Sequence, residues 1–394
     1  MPSATSLRAS LVRFSVCTAL VVIAGLAACK GGTKAPETLK PVTDEEATAF
    51  GASLEDTLGR CDSAKLNSLI DVEAAMRRAI RRSTIPKGQQ EAVLRGMLEG
   101  AKNGDVLSQL CGTGEENAIA RFVRLRERDN RKSALFRLSS SEGINYVEFY
   151  LGKAKDERVI ADNFYAYLSG TDLVESYRAP LDALIETPSA AQSFAEVLVE
   201  LESEPQKGLA RMASFPPSIR DIKMLQVAAV VAASKVDDET YSAAIAYYEK
   251  LFPDDPSLDL ITIDGLVLAK KYTEALASVD RFDKALGGDP YLNQLRAGIF
   301  LEEGKDFAKA SALAKMAIES EPTDSDSYYL WLASELSNQN AAGTVAAMES
   351  LRTTFDVSFG PDDASEYAET FPEFAQSKEW LAYLAAHPTD AAEE

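Results

Sequence analysis

The sequence predicts an α+β unit, in which helices lead into a four-stranded antiparallel sheet, followed by an all-helical half built from paired helices. Three observations carry this. Apolar residues recur at helical spacing from Asp44 to Gly100, at two-residue spacing between Ala118 and Tyr167, and at helical spacing again from Pro180 onward. An aromatic-x-x-Ala element returns three times in the last stretch. Charge divides at the same place: residues 43–180 hold 20 Lys+Arg against 22 Asp+Glu, and residues 181–394 hold 16 against 38.

Ahead of the first helix, Arg8 and Arg13 precede an apolar run from Phe14 to Ala24 and the small-residue stretch Leu26-Ala27-Ala28. The run falls short of the roughly 20 residues a spanning helix needs, so residues 1–28 read as a secretory signal. It ends at Cys29, followed by Lys30-Gly31-Gly32. The Leu-Ala-Ala-Cys tetrad resembles the bacterial lipobox. That resemblance implies cleavage before Cys29, diacylglycerol on its thiol, fatty acylation of the palmitate type, and a membrane anchor. Lys30 stands where aspartate would signal inner-membrane retention, which implies an outer-membrane lipoprotein facing the periplasm or the cell surface. Residues 29–43, rich in Gly, Pro, Lys and Thr, then read as a lipidated flexible tether. The signal takes two arginines and no acid with it, so the formal charge of −20 becomes −22, which repels nucleic acid. Cys17 leaves with the signal and Cys29 carries lipid, leaving Cys61 and Cys111. In an oxidising compartment the expectation is a disulfide, the alternative two separate buried thiols.

Residues 44–178 form the expected α+β domain. Phe50, Leu54 and Leu58 mark a first helix; Leu66, Leu69, Ile70 and Val72 lie in a second apolar run. Helices are expected over Glu73 to Arg82 and Lys87 to Gly100. Four alternating segments then give a meander. One face would carry Val123, Leu125, Phe136, Leu138, Val147, Phe149, Leu151, Ile160 and Phe164 against the helices. The other would carry Phe122, Arg124, Arg126, Tyr146, Glu148, Tyr150, Tyr165 and Tyr167. Helices followed by a curved sheet, ending in Phe-Tyr-Ala-Tyr-Leu-Ser-Gly, resemble the conical nuclear-transport-factor-like (cystatin-related) fold.

Residues 179–394 are expected to be helical throughout, with helices over Ala190 to Leu201 and Ile219 to Ser234. Gly298, Ala310, Ala317 and Pro322 fall at the small-residue and closing-proline spacing of a tetratricopeptide repeat. Tyr241/Ala244, Tyr272/Ala275 and Phe307/Ala310 repeat one element at intervals of 31 and 35 residues. The resemblance implies a tetratricopeptide-type superhelical solenoid, in which small residues let paired helices approach and large ones fill the gap to the next pair. A degenerate unit would run from Ser325 to Leu351. Phe374, Trp380, Leu381 and Leu384 would cap its end.

Catalytic equipment is scarce. The single histidine, His387, lies beside Pro388 near the end of the chain, which leaves Ser-His-Asp, Cys-His and His-bearing zinc arrangements without support. The glycine pairs fit a tether and a helix end, and the acid clusters Asp237-Asp238, Asp254-Asp255 and Asp362-Asp363 lie in turns. No catalytic residue, cofactor or metal is expected. A non-enzymatic, lipid-anchored scaffold or adaptor follows, possessed of a concave helical surface suited to a protein or peptide, basic or amphipathic in character. Envelope assembly or secretion is a sub-case by analogy alone. The repeat resemblance places candidate groove positions at Asp264, Leu295, Ile299 and Glu302. The rival expectation is a small-molecule binder or hydrolase using a conical pocket lined by Arg124, Arg126, Tyr146 and Glu148. Arg77, Arg78, Arg81 and Arg82 form a basic patch, read either as a contact for anionic headgroups or the acidic half, or as a solvated face.

Overall fold

The computed structural model describes residues 39–388, except 105–106, 112–118, 129, 141–142, 254 and 256. The expected signal, its Cys29 and the expected tether up to residue 38 lie outside the described residues. The chain forms two compact units, one extending to Ile261 and one from Thr262.

The first unit opens with α1 (Asp44–Gly59), whose start is fixed by a capping box. Thr43 Oγ1 accepts from the Glu46 N–H at 3.2 Å, and Glu46 Oε2 accepts from the Thr43 N–H at 2.9 Å. Asp62 and Asp71 cap α2 (Ser63–Leu69) and α3 (Val72–Arg82) in the same way, through one N–H each. Helix α4 (Gln90–Gly104) begins later than the sequence suggests, because residues 87–89 make a turn. A short 3₁₀ segment, Ser108–Cys111, brings Cys111 to the end of α1, where it is joined to Cys61 as a disulfide with Cα atoms 5.5 Å apart.

The sheet follows in the order β1-β2-β3-β4-β5, antiparallel throughout, from β1 (Ile119–Arg128), β2 (Arg131–Ser140), β3 (Gly143–Lys153) and β4 (Val159–Ala166) to the two-residue β5 (Thr171–Asp172). The meander is thus five-stranded rather than four, β5 being too short to leave a periodic signal. Two bulges change the expected faces. One falls between Phe122 and Arg124, and opposes Phe122 to Phe136 and Leu125 to Ala134. Phe122 therefore joins the helix-packed face, against expectation, because the extra residue Val123 reverses the alternation. The Phe122 ring lies 5.5 Å from Phe136 and covers Gly51, where any Cβ would approach the ring within 2.9 Å, so only glycine lets α1 lie this close. The Glu55 carboxylate accepts the Phe122 N–H at 2.6 Å.

The second bulge lies opposite Tyr150 and Leu151, which pair with Asn163 and Ala161 and leave Asp162 over. Ile160 pairs with Gly152 and so leaves the face expected for it. Asp162 is 3% exposed, and its carboxylate is held by Arg78 of α3 at 2.5 Å and Arg131 of β2 at 2.6 Å. Arg78 also donates to the Asp162 carbonyl. Of the expected tether, Lys40 is stitched to β3 by two backbone hydrogen bonds with Lys153, at 3.1 and 3.0 Å, and Val42 is buried.

Helix α5 (Leu173–Glu186), capped by Asp172, packs Leu173, Val174, Tyr177 and Leu181 into one core with Met76, Ile80 and Leu94 of α3 and α4. Next come α6 (Ala191–Ser203), α7 (Pro205–Ala213), α8 (Pro217–Arg220) and α9 (Lys223–Ser234), which share a second core around Phe194, Val197, Ile219 and Leu225. Glu200 of α6 and Arg211 of α7 lock that pair at 2.6 Å. Helix α10 (Asp238–Leu251) packs on α9, and α11 (Leu258–Leu268) carries the division between the units.

The second unit is helical in its described residues. Helices α12 (Tyr272–Leu286), α13 (Asn293–Glu303), α14 (Phe307–Ser320), α15 (Ser325–Ser337) and α16 (Ala341–Phe355) each pack on the next. Turn acids start two of them: Asp306 caps α14 and Asp324 caps α15. Ala275, Ala310, Ala314 and Ala317 are fully buried where helices meet. The end is closed by α17 (Pro361–Glu366) and α18 (Lys378–Ala386), with Phe374 and Trp380 in one aromatic core. Leu384 packs on that core, whereas Leu381, expected in the cap, is 54% exposed because it lies on the outer side of α18.

Two stability outcomes follow. The disulfide closes a loop with sequence separation 50, so reduction should cost about 4 kcal/mol in the chain-entropy treatment; denaturant midpoints with and without reductant, and for Cys61→Ser/Cys111→Ser, measure it. Asp162→Ala removes the carboxylate from two guanidiniums and should destabilise the first unit by about 3 kcal/mol, read by the same titration, while Asp156→Ala on the exposed turn after β3 should cost under about 1 kcal/mol.

Candidate functional site

The second face of the sheet is where the sequence gathers Arg and Tyr, and the strands deliver these side chains in cross-strand rows. Glu148 of β3 pairs with Leu135 and Tyr165, and Arg126 with Ser133. Glu148 is wholly buried and accepts hydrogen bonds from Ser133 Oγ at 2.6 Å and Tyr167 OH at 3.1 Å. Arg126 donates to Tyr167 OH at 2.8 Å and lies 3.7 Å from Glu148, and Arg128 lies 3.4 Å from the same carboxylate. Arg128 also sits 4.7 Å over the Tyr165 ring. Burial pushes the Tyr167 hydroxyl up to about 12, with the Glu148 charge adding to it, and burial raises Tyr165 well above its ordinary value against the opposing charge of Arg128.

Beside this network lies a cavity of about 740 Å³. Its walls come from α3 (Arg78, Arg82), the sheet (Arg128, Arg131, Tyr150, Asn163, Tyr165), the start of α5 (Asp172, Val174, Glu175) and the residues Asp221, Ile222, Lys223, Met224 and Phe252. All belong to the first unit. Gly170, in the left-handed region at φ 59°, is also part of the wall. A Cβ there would come within 2.6 Å of Ser257 Oγ, Asp255 and Lys223 Nζ, so the close turn and the lysine require glycine. Lys223 is paired with Asp255 and donates to the Gly170 carbonyl. Burial lowers the Lys223 ammonium to about 8, opposed by Glu175.

Of the pocket residues proposed from sequence, Arg126 and Glu148 come together, but neither lines the cavity, and Tyr146 is fully buried. Arg124 shares their face, in register with Leu135. The cavity is lined instead by residues further along the same two strands, Arg128 of β1 and Tyr150 of β3, by Arg131 of β2 and Tyr165 of β4, and by half of the arginine patch. Arg77 turns to Glu73 at 2.6 Å and Glu91 at 3.7 Å, while Arg78 and Arg82 face the cavity. The i, i+4 spacing of Arg78 and Arg82 was the available signal; the helices bringing Lys223 and Phe252 to it were not.

Among the groove positions, Leu295 and Ile299 are 2% and 0% exposed and present nothing to a partner, because α13 uses them for packing. Asp264 and Glu302 are partly exposed. Among the described residues no group of three or more His, Cys, Asp or Glu side chains is arranged to hold a metal ion, and no helix is long and apolar enough to cross a membrane. His387 lies 3.2 Å from Glu349 and against the Tyr383 ring. Compared with protein-family models, curated proteins and solved structures, the chain matches none.

The Tyr167 environment has a pH signature. An unfolded tyrosine titrates near 10, so the stabilisation from keeping Tyr167 neutral is complete below about pH 10 and is lost as pH rises towards about 12. Tyr167→Phe should lower stability at pH 8 but show a smaller further loss between pH 10 and 12 than the parent, measured by thermal midpoints.

Proposed function

We propose that the protein is a lipid-anchored envelope protein that works by binding, its second half holding a protein or peptide partner. The observation that carries this reading is the recurrence of one packing element. Ala275 in α12 and Ala310 in α14 stand three residues after Tyr272 and Phe307, both wholly buried, as a tetratricopeptide-type stack requires. Tyr241 and Ala244 occupy corresponding positions in α10, the tyrosine buried and the alanine partly so. Gly298 lies in α13, and Pro322 stands just after α14, where the helix has to stop.

The remaining support is chemical. Leu-Ala-Ala-Cys ahead of Lys30 gives the anchor, and the helices leading into the antiparallel sheet of the first unit suit a nuclear-transport-factor-like domain between anchor and stack. The acid excess of residues 181–394 favours a basic or amphipathic partner. Asp264 and Glu302 are the partly exposed acids of the proposed surface, with one oxygen of Asp264 buried.

Full-length protein in detergent should capture a specific basic partner from solubilised envelope and release it as salt is raised. Glu302→Lys combined with Asp264→Asn should reduce capture at least fivefold without changing the thermal midpoint, and Cys29→Ser should free the protein from the membrane fraction. Capture unaffected by salt and by both substitutions counts against the surface; membrane retention of the serine variant counts against the anchor.

A further inference from the structure

The cavity of the first unit has a charge imbalance that protein binding by the second half does not use. Its carboxylates are occupied. Asp172 accepts the Glu175 N–H at 2.8 Å as the cap of α5. Glu175 is held by Arg178 at 2.6 Å, and Asp221 takes Arg220 Nε and Tyr247 OH, both at 2.9 Å.

The cations are less fully matched. One carboxylate, Asp162, serves both Arg78 and Arg131; another, Glu148, serves both Arg126 and Arg128. Arg82 is exposed and has no ion-pair partner among the described residues. The wall made by α3 and the strands therefore carries more guanidinium than carboxylate charge. Excess charge in a concavity concentrates ligands of the opposite sign, and guanidinium forks match carboxylate and phosphate oxygens. Volume and lining point the same way. About 740 Å³ suits a small organic molecule. The apolar side chains Val174, Ala179, Ile222 and Met224 and the rings of Tyr150 and Phe252 offer surface for a non-polar body.

We infer that this cavity binds a small organic anion, its carboxylate or phosphate facing Arg82 and Arg128 and its ring or short acyl body lying against the apolar wall. This goes beyond the partner-binding reading and is independent of it. Arg78 and Arg131 are positioning residues here: Asp162 fixes both, so they shape the basic wall. Arg82 is the informative residue, because removing it breaks no ion pair among the described residues.

The test is calorimetric titration of the full-length protein in detergent with four probes of similar size: phenyl phosphate, benzoate, benzyl alcohol and benzylamine. Phenyl phosphate or benzoate should bind at least tenfold more tightly than the neutral and cationic probes, and the advantage should shrink between 50 and 300 mM salt. Arg82→Gln should weaken the anion about tenfold with an unchanged thermal midpoint, and Arg82→Lys should recover part of that loss. Equal or tighter binding of benzyl alcohol or benzylamine, unchanged anion affinity in Arg82→Gln, or no binding of either anion at millimolar concentration would each overturn the inference. The partner-capture experiment is read separately, so either conclusion can fail while the other stands.

Discussion

A single carboxylate organises the first unit. Asp162 is the surplus residue of a β-bulge, and the bulge turns it to where Arg78 of α3 and Arg131 of β2 can both reach it. A buried anion between two cations is a poor source of net stability compared with an apolar contact, but it is intolerant of displacement. The helix must stay where Arg78 reaches, and the start of β2 must stay where Arg131 reaches. The basic wall of the cavity is a by-product of that placement, since both guanidiniums are held at its edge.

The Glu148 network repeats the principle one row further across the sheet. A wholly buried carboxylate satisfied by Ser133, Tyr167, Arg126 and Arg128 leaves no oxygen free to act on a substrate, and so favours a structural part for Glu148 over the acid–base part that a hydrolase would give it. The helices impose a different discipline. Asp62, Asp71, Asp172, Asp237, Asp306 and Asp324 each accept a backbone N–H at a helix start. Much of the acidity seen in turns is therefore explained locally, by the donors that every helix leaves unmatched at its beginning.

The order of elements was legible because periodicity is a local property: the helices, the meander and the helical second half all lie close to where apolar spacing puts them. The faces of the sheet were legible only between bulges. Val123 and Asp162 each add one residue, and one residue suffices to move Phe122 and Ile160 to the opposite side. Nothing in the strand sequences marks those positions, because the compensating groups, Glu55 and the Arg78–Arg131 pair, come from far along the chain. The cavity was half legible for the same reason. Strand alternation placed Tyr150 and Tyr165 on its side, but Lys223 and Phe252 reach it only through packing of later helices. Leu295 and Ile299 show the converse error, where a repeat position was read as surface and the tight stacking of α13 made it interior.

The stitch between Lys40 and Lys153 has a wider meaning for solubility. Strand β2 last pairs with β3 at Ser133 and Tyr150, so the final residues of β3 have lost that neighbour. Lys40 occupies the vacated side with two backbone hydrogen bonds, and its ammonium, bound to Glu157, leaves charge beside the join. An unfilled slot of this kind invites an extended segment from another molecule. Here Lys40 fills the slot from within the same chain, so the end of β3 offers no free backbone along which an extended segment of another copy could add.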